Sequence, residues 1–349
     1  MGTTSHQTAD HNEPIVRPSF IFGCFLIMNC IFWSFAWVSF STYRPVDNEY
    51  KPLTPLSTPA ISQLSANPEQ VDIGLIIDDF QKFDIYDNDF LFNGILWIAF
   101  NPNIVPFEAI DQIALVNGTF VEKSKASVTA VGDKAFARYA VKIAFRNTSI
   151  TYKTFPADDH ILHLIVTYYG TMAGDVIFKA ARSNLVINDD LTPMGWGLIN
   201  TQVASGYLKN TIKTESGNVN ATTPGVIFYL YCQKISLSSL LTLILPLVIF
   251  FLMGLYSFAI PYSSATARLS LTAQSIIAIV AFRFVIETIS PKTGYFLVSD
   301  YFFLLFLLVS IIVFFVNLTV HDSKILQYIF VAGINLVVAI GGSYIWLLS

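Results

Sequence analysis

The residues able to do chemistry in this chain are few and sharply placed. Arg283 and Glu287 stand four apart in a stretch otherwise free of charge. On a helix, that spacing brings opposite charges together on one surface. Charges inside an apolar span are costly, and they face protein or water rather than lipid. Two roles are open: an ion pair near a membrane edge, or a ring of Glu287 carboxylates that favours cations at a water-filled mouth. With about 100° per residue, Ser270, Gln274, Ile277, Ala281, Phe284 and Thr288 fall within roughly 40° of one line. Arg268, Thr272, Ser275, Ile279, Arg283 and Ile286 lie opposite. The first line is polar at one end, apolar in the middle and polar again at the other. A ring of such helices would enclose a wettable mouth and a hydrophobic constriction, and constrictions of this kind gate by dewetting. On a lone helix the same line could simply pack against neighbours.

Other chemistry lacks support. His160 and His163 in "HILH" point to opposite faces of a strand and have no Cys or carboxylate at zinc-like spacing, so no metal site is expected. No GxSxG, phosphate-cradling glycine loop or Cys/His nucleophile pattern occurs, so neither enzyme activity nor a cofactor is expected. Asn117, Asn147 and Asn220 begin N-x-S/T triplets, which arise often by chance. A net charge of −4 with no basic run argues against nucleic acid as a partner.

Membrane spans must position the line on residues 270–288. Of 349 residues, 54% are hydrophobic and 13% charged, and the apolar ones are clustered, so the partner is a lipid bilayer. Ser19 to Phe40 carries no charge and is long enough for a hydrocarbon core that needs about 20 residues. It reads as an uncleaved anchor in preference to a cleaved signal. The apolar region is too long, Trp33 and Trp37 sit late in it, and no A-x-A-like site follows. Further spans are expected at 235–260, 269–289, 301–320 and 325–348, with Pro261 turning the chain between the first two. Pro246 falls inside a span, where a proline is tolerated. Arg17, Arg268, His321 and Lys324 fall on one side, and Arg44, Lys51 and Lys292 on the other. That bias predicts a cytoplasmic tail over 1–18 and an exported middle segment in a multi-pass protein of the cell membrane, the inner membrane in a bacterium.

The middle segment changes character twice. Residues 41–70, with several prolines, read as a linker. From Val71, "VDIGLIIDDFQKFDI" and "DFLFNGILWIAF" are rich in β-branched and aromatic residues, with turn chemistry in "YDND" between them. "ARYAVKIAF", "HILHLIVTYY", "DVIFKA" and "GVIFYLYC" are further strand candidates. Short strands with polar connectors over 71–234 predict a β-sandwich. The cysteines, Cys24, Cys30 and Cys232, leave that segment no internal disulfide, so its stability must come from a packed core or from neighbouring subunits.

On three stretches the chain resembles the pentameric ligand-gated channels, the Cys-loop receptor superfamily, most closely the prokaryotic proton-gated members. "TFPADDHILHL" (Thr154 to Leu164) is similar to the family's signature loop without its cysteines. "GWGL" (Gly195 to Leu198) is similar to a late Trp motif, and "AFRFVIETISPKTGY" (Ala281 to Tyr295) to the end of the pore helix and the loop after it. The resemblance covers about Val71 to the C-terminus. It implies an extracellular all-β sandwich (71–234) followed by a four-helix transmembrane pore domain (235–349), with one additional N-terminal transmembrane helix (19–40). It implies a homopentamer opened by a small ligand or by protons, with permeating ions passing along the line from Ser270 to Thr288. Small polar residues low in the pore and a bulky aliphatic ring above them match Ser270, Gln274 and Ile277. Domain coupling would fall to Asp158, to Lys234 at the family's basic position, and to Asp84, Asp87 or Asp89 in the first hairpin. Glu287 near the outer mouth favours cations, although "SSATARLS" offers no acid at the inner end. The alternative is a non-conducting extracytoplasmic sensor or assembly scaffold on the same architecture.

Overall fold

The structure, a computed structural model, describes residues 14–42, 53–55, 68–147, 150–169, 176–188, 195–214, 217–234, 238–319 and 323–348. Arg44, Lys51, His321, the tail before residue 14, most of the stretch read as a linker and the side chain of Asn220 lie outside them. In chain order the elements begin with α1 (Pro18–Ser41), β1 (Leu53–Pro55), β2 (Glu69–Asp84), β3 (Asp89–Phe100) and the short α2 (Phe107–Ile110). Then come β4 (Ile113–Leu115), β5 (Gly118–Lys123), β6 (Ser127–Val131), β7 (Lys134–Phe145), β8 (His160–Tyr168), β9 (Val176–Lys179) and β10 (Leu185–Ile187). β11 (Trp196–Thr214), β12 (Gly217–Lys234), α3 (Ser238–Leu255), α4 (Ala265–Ile289), α5 (Val298–Thr319) and α6 (Lys324–Leu348) complete the chain. They gather into two compact units: the strands form one, and the long helices with Tyr152–Asp158 form the other.

Among the described residues five helices are long and apolar enough to cross a membrane, α1, α3, α4, α5 and α6, as befits a multi-pass membrane protein. α1 opens on a proline, whose missing N–H would have had no helical partner there. Two of the boundaries that differ from the expectation have a local cause. α4 starts at Ala265, a turn before the expected Leu269, because Pro261 heads a 3-10 turn (Tyr262–Ser264) that feeds directly into the helix. α5 starts at Val298 because Asp300 reaches back: its Oδ2 accepts the Leu297 N–H at 2.8 Å, the N3 half of a capping box.

Buried polar groups fix how α3, α4 and α5 meet. Arg268 Nη2 donates to Asn317 Oδ1 at 2.6 Å, and Asn317 Nδ2 donates to Ser257 Oγ at 2.6 Å. Ser275 Oγ donates to the Phe250 carbonyl at 2.6 Å. A Cβ on Gly254 would sit 3.0 Å from Ser275 Oγ, so glycine permits the close approach of α3 and α4 that small residues bring to membrane helices. Away from water each of these bonds is expensive to break.

The strand unit holds two sheets, one ordered β1-β11-β12-β8-β4 and the other β10-β2-β3-β7-β5, with β6 added on β7 and β9 on β2. β9 and β10 both run parallel to β2. Within the range read as a linker, Leu53–Pro55 pair with Gly206–Leu208 of β11. In the β2–β3 turn, Asp84 Oδ1 accepts the Asp87 N–H at 2.9 Å, and Asn88 takes φ 52°, a conformation asparagine tolerates.

Asparagine amides stitch the two sheets together. The Asn147 N–H donates to Asn88 Oδ1 at 2.8 Å, and Asn88 Nδ2 donates back to the Asn147 carbonyl at 2.6 Å. Asn147 Oδ1 accepts the His163 N–H at 2.9 Å, and Asn117 Nδ2 donates to the His163 carbonyl at 2.7 Å. Asn147 follows β7 of one sheet and His163 lies on β8 of the other. The triplets beginning at Asn117 and Asn147 therefore have a structural role. Removing a partner from a buried polar group costs about 1–3 kcal/mol. Asn147→Ala is expected to lose that much in denaturant unfolding of the full chain in detergent, while Asn103→Ala, at an exposed turn, stays within about 0.5 kcal/mol.

Candidate functional site

The line read on α4 is an exposed line. Ser270, Gln274, Ile277, Ala281, Phe284 and Thr288 are all exposed, whereas Arg268, Thr272, Ser275, Ile279 and Ile286 opposite are buried and Arg283 is half-buried. Ile277 is 67% and Phe284 71% exposed, although both are large apolar residues. Gln274 Nε2 donates along the line to Ser270 Oγ at 3.2 Å, and Thr288 Oγ1 donates to the Phe284 carbonyl at 2.8 Å. Val280, Val285 and Ile289 extend the exposed arc on its flanks. The centre of the exposed arc is thus polar towards its ends and apolar between them, with Val280, Val285 and Ile289 beside it.

Other exposed helix faces have a different character. α5 shows Tyr301, Leu304, Leu308, Ile312, Phe315 and Leu318 at three- and four-residue spacing. α6 shows Ile325, Ile329, Leu336, Ile340, Tyr344 and Leu347. Those faces suit lipid tails, which offer nothing to a polar side chain. The centre of the α4 arc does not.

Thr266 belongs to the same line. It is exposed and lies one turn before Ser270, and it escaped the sequence reading because the helix was expected to start at Leu269. Arg268, by contrast, directs its guanidinium to buried Asn317, so its charge is held off the exposed line.

At the other end of α4, the charges pair differently from the sequence expectation. Arg283 forms its ion pair with Asp300 on α5, not with Glu287. Asp300 is the better partner because it is held in place by the Leu297 N–H and its side chain is only 9% exposed. The Arg283 guanidinium also lies 5.5 Å from the Phe303 ring. Glu287 remains exposed and lines a cavity of about 440 Å³ shared with Arg283, Lys292 and Asp300. A carboxylate opening onto such space faces water, as an ionised group in a membrane protein must.

The stretch "TFPADDHILHL" begins among the helices. The first N–H groups of a helix have no partner inside it, and on α5 the loop supplies them. Val298 N–H donates to the Lys153 carbonyl at 3.0 Å and Ser299 N–H to the Phe155 carbonyl at 3.2 Å. Tyr152 N–H donates to the Tyr295 hydroxyl at 2.9 Å. The loop therefore grips the α4–α5 connector and the start of α5, and Asp300 continues the connection to Arg283 on α4. Nothing in the sequence pairs Arg283 with Asp300 except that a short connector must return α5 beside the end of α4.

The residues read as coupling groups are distributed over both units. Asp158 is fully buried in the helical unit. Lys234 belongs to the strand unit, where its ammonium meets the Tyr86 hydroxyl, 4.6 Å from the Tyr86 ring and 5.2 Å from the Trp196 ring. Cation–π contacts of this kind stabilise by about 0.5–2 kcal/mol. The Lys234 N–H donates to Asp159 Oδ1 at 3.2 Å. Trp196, the tryptophan of "GWGL", thus has a defined task in holding Lys234. Asp84 holds the β2–β3 turn through Asp87 N–H, and Asp87 itself is exposed. His160 and His163 are buried, with their rings 5.5 Å from Trp196 and 6.5 Å from Tyr229. Among the described residues no cluster of metal-ligating side chains occurs.

Titration of the strand unit is defined at its alkaline end. Lys82 is raised above the ordinary lysine value, chiefly by its hydrogen bond to Asp89, and Lys134 by its bond to Asp72. Burial raises Tyr139 and Tyr207. Groups raised in the folded state contribute fully below their unfolded values, about 10 for both types, and lose that contribution only as pH climbs through the folded value.

The chain matches no protein-family profile and no curated protein.

Arg283→Gln and Asp300→Asn are each expected to destabilise the helical unit, with a coupling of about 1–3 kcal/mol in a double-mutant cycle of detergent unfolding. Arg283→Gln combined with Glu287→Gln is expected to show no coupling in the same cycle.

Proposed function

We propose that this chain is one subunit of a pentameric, ligand- or proton-gated ion channel, built from an extracellular β-sandwich and a membrane domain whose α4 lines the pore. The observation that carries the reading is the exposed arc of α4, whose centre is polar at Ser270, Gln274 and Thr288 and apolar at Ile277, Ala281 and Phe284 between them. In a ring of copies the flanks pack on neighbouring subunits, and the centre faces water. The apolar faces of α5 and α6 then meet lipid. The number five and the signature loop come from the resemblance to the Cys-loop receptor superfamily.

On this reading Thr266, Ser270 and Gln274 make one mouth wettable. Ile277, Ala281 and Phe284 form a dry segment roughly 10 Å long at 1.5 Å per residue. Such a segment blocks ions until it widens and wets. Thr288 and Glu287 lie at the second mouth, where an unpaired carboxylate attracts cations. Holding Arg268 on Asn317 keeps a repelling charge out of the opposite mouth. Cation conduction is the reading these placements support. The loop Tyr152–Asp158 bonds to the start of α5, and the Asp300–Arg283 pair joins that start to α4, which gives a route for displacing the pore helix.

The test is current across planar bilayers holding the purified protein, recorded while pH steps from neutral to acidic. Acid-evoked cation current is expected, and Ile277→Ser is expected to raise leak or sensitivity by wetting the dry segment. Silence in both proteins, with pentamers confirmed by mass, would favour a non-conducting sensor or scaffold on the same architecture.

A further inference from the structure

α1 is hydrogen-bonded into the helical unit at its start and packed on it further along. Past its middle, Phe32 is 1% exposed and packs on Phe302 of α5 and Trp346 of α6, with ring centroids 5.3 and 6.3 Å away. Gly342 of α6 makes the seat: a Cβ there would approach Phe32 Cδ2 to 2.6 Å. Ile21, Met28 and Ala36 continue the same buried stripe along α1. At its start, Phe20 meets Tyr328 of α6 with ring centroids 4.8 Å apart.

The residues just before α1 reach further. Ile15 and Val16 are 1% and 0% exposed. Val16 N–H donates to the Phe258 carbonyl at 3.0 Å, in the 3-10 turn Tyr256–Ala259 that ends the α3 span. Arg17 N–H donates to the Tyr328 hydroxyl at 3.0 Å. Ser257 in that turn is fully buried and accepts from Asn317, which in turn holds Arg268 of α4. A backbone strap anchored on α6 therefore grips the turn that leads into α4.

We propose that α1 and its preceding strap form an intramolecular clamp on the turn between α3 and α4, restraining movement of α4. The proposal rests on α4 being the pore helix, because only then does the restraint set how easily the channel opens. The physical reason is geometric. α4 cannot tilt or shift at this end without carrying Tyr256–Ala259 with it, and that turn is hydrogen-bonded to a strap whose helix is seated on Gly342. Loosening the strap lowers the cost of that movement.

Two measurements test it separately. For docking, a specific protease site is placed between residues 45 and 50, and the cleaved chain is purified in detergent. The α1 fragment is expected to stay with the remainder in equal amount and to be lost from Gly342→Leu, which fills the Phe32 seat. Loss of the fragment from the otherwise unaltered chain would overturn the clamp. For regulation, Tyr328→Phe removes the acceptor for Arg17 N–H and keeps the ring against Phe20. Val16→Pro removes the donor to Phe258. Each is expected to lower the stimulus for half-maximal ion flux by about threefold or more, the worth of one hydrogen bond, and to raise basal flux. An unchanged or raised stimulus requirement overturns the regulation. A parent chain silent under every stimulus removes the pore reading and the regulation with it, while co-purification of α1 still decides the docking.

Discussion

A membrane-spanning helix with polar side chains along the centre of an exposed face has to be given water or a partner. Lipid tails offer neither, and unsatisfied polar groups in hydrocarbon are costly. α4 is such a helix: Ser270, Gln274 and Thr288 share an exposed line with Ile277 and Phe284, while Arg268, Thr272 and Ser275 are buried behind it. Opposite faces of one helix thus carry polar groups for different reasons. The buried ones bond to Asn317 and the Phe250 carbonyl and fix how α4 seats on its neighbours. The exposed ones have no comparable neighbour among the described residues, and the ring of copies proposed above would supply them with water. Apolar flanks on the same arc make that ring compatible with close helix contact.

The ends of α4 are held by different chemistry. One end is tied through Arg283 to Asp300, and Asp300 also caps α5, whose first N–H groups are accepted by carbonyls of the loop at Lys153 and Phe155. A helix start with orphan donors is a natural place for such a loop to attach. The other end is tied by Arg268 through Asn317 to Ser257 of the turn Tyr256–Ala259, whose Phe258 carbonyl accepts the Val16 N–H. The middle of α4 has only packing and the Ser275 bond. A helix restrained at its ends, with Gly254 against Ser275 and Phe282 against Phe250 between them, can tilt as a body, the kind of movement the proposed channel requires.

Much of this was legible in the sequence because the governing signals were periodic. The 100° repeat separated the exposed line of α4 from its buried face residue by residue, and uncharged runs marked the spans. β3 was readable as "DFLFNGILWIAF" because alternation and aromatic content agree there. β11 was not: "WGLINTQVASGYLKNTIKT" has little apolar content, and its strand state comes from pairing with β12 on one side and β1 on the other. Likewise, the asparagine bonds joining the sheets looked like chance triplets, because their meaning lies in partners distant in sequence. Sequence spacing allowed an Arg283–Glu287 pair and was silent on Arg283–Asp300. Local spacing states which groups could meet, and the connector between α4 and α5 decides which ones do. The seat at Gly342 for Phe32 is of the same kind, since a glycine in an apolar helix announces no particular neighbour.

The central claim, that the exposed line of α4 faces water in the assembled protein, is open to direct measurement by single-cysteine accessibility. With Cys24, Cys30 and Cys232 replaced by alanine, cysteines introduced one at a time along α4 would be exposed to a charged, membrane-impermeant thiol reagent in reconstituted vesicles. The account predicts modification at 270, 274 and 288 and protection at 272, 275, 279 and 286. Protection along the whole line, with labelling only by reagents that dissolve in lipid, would contradict it.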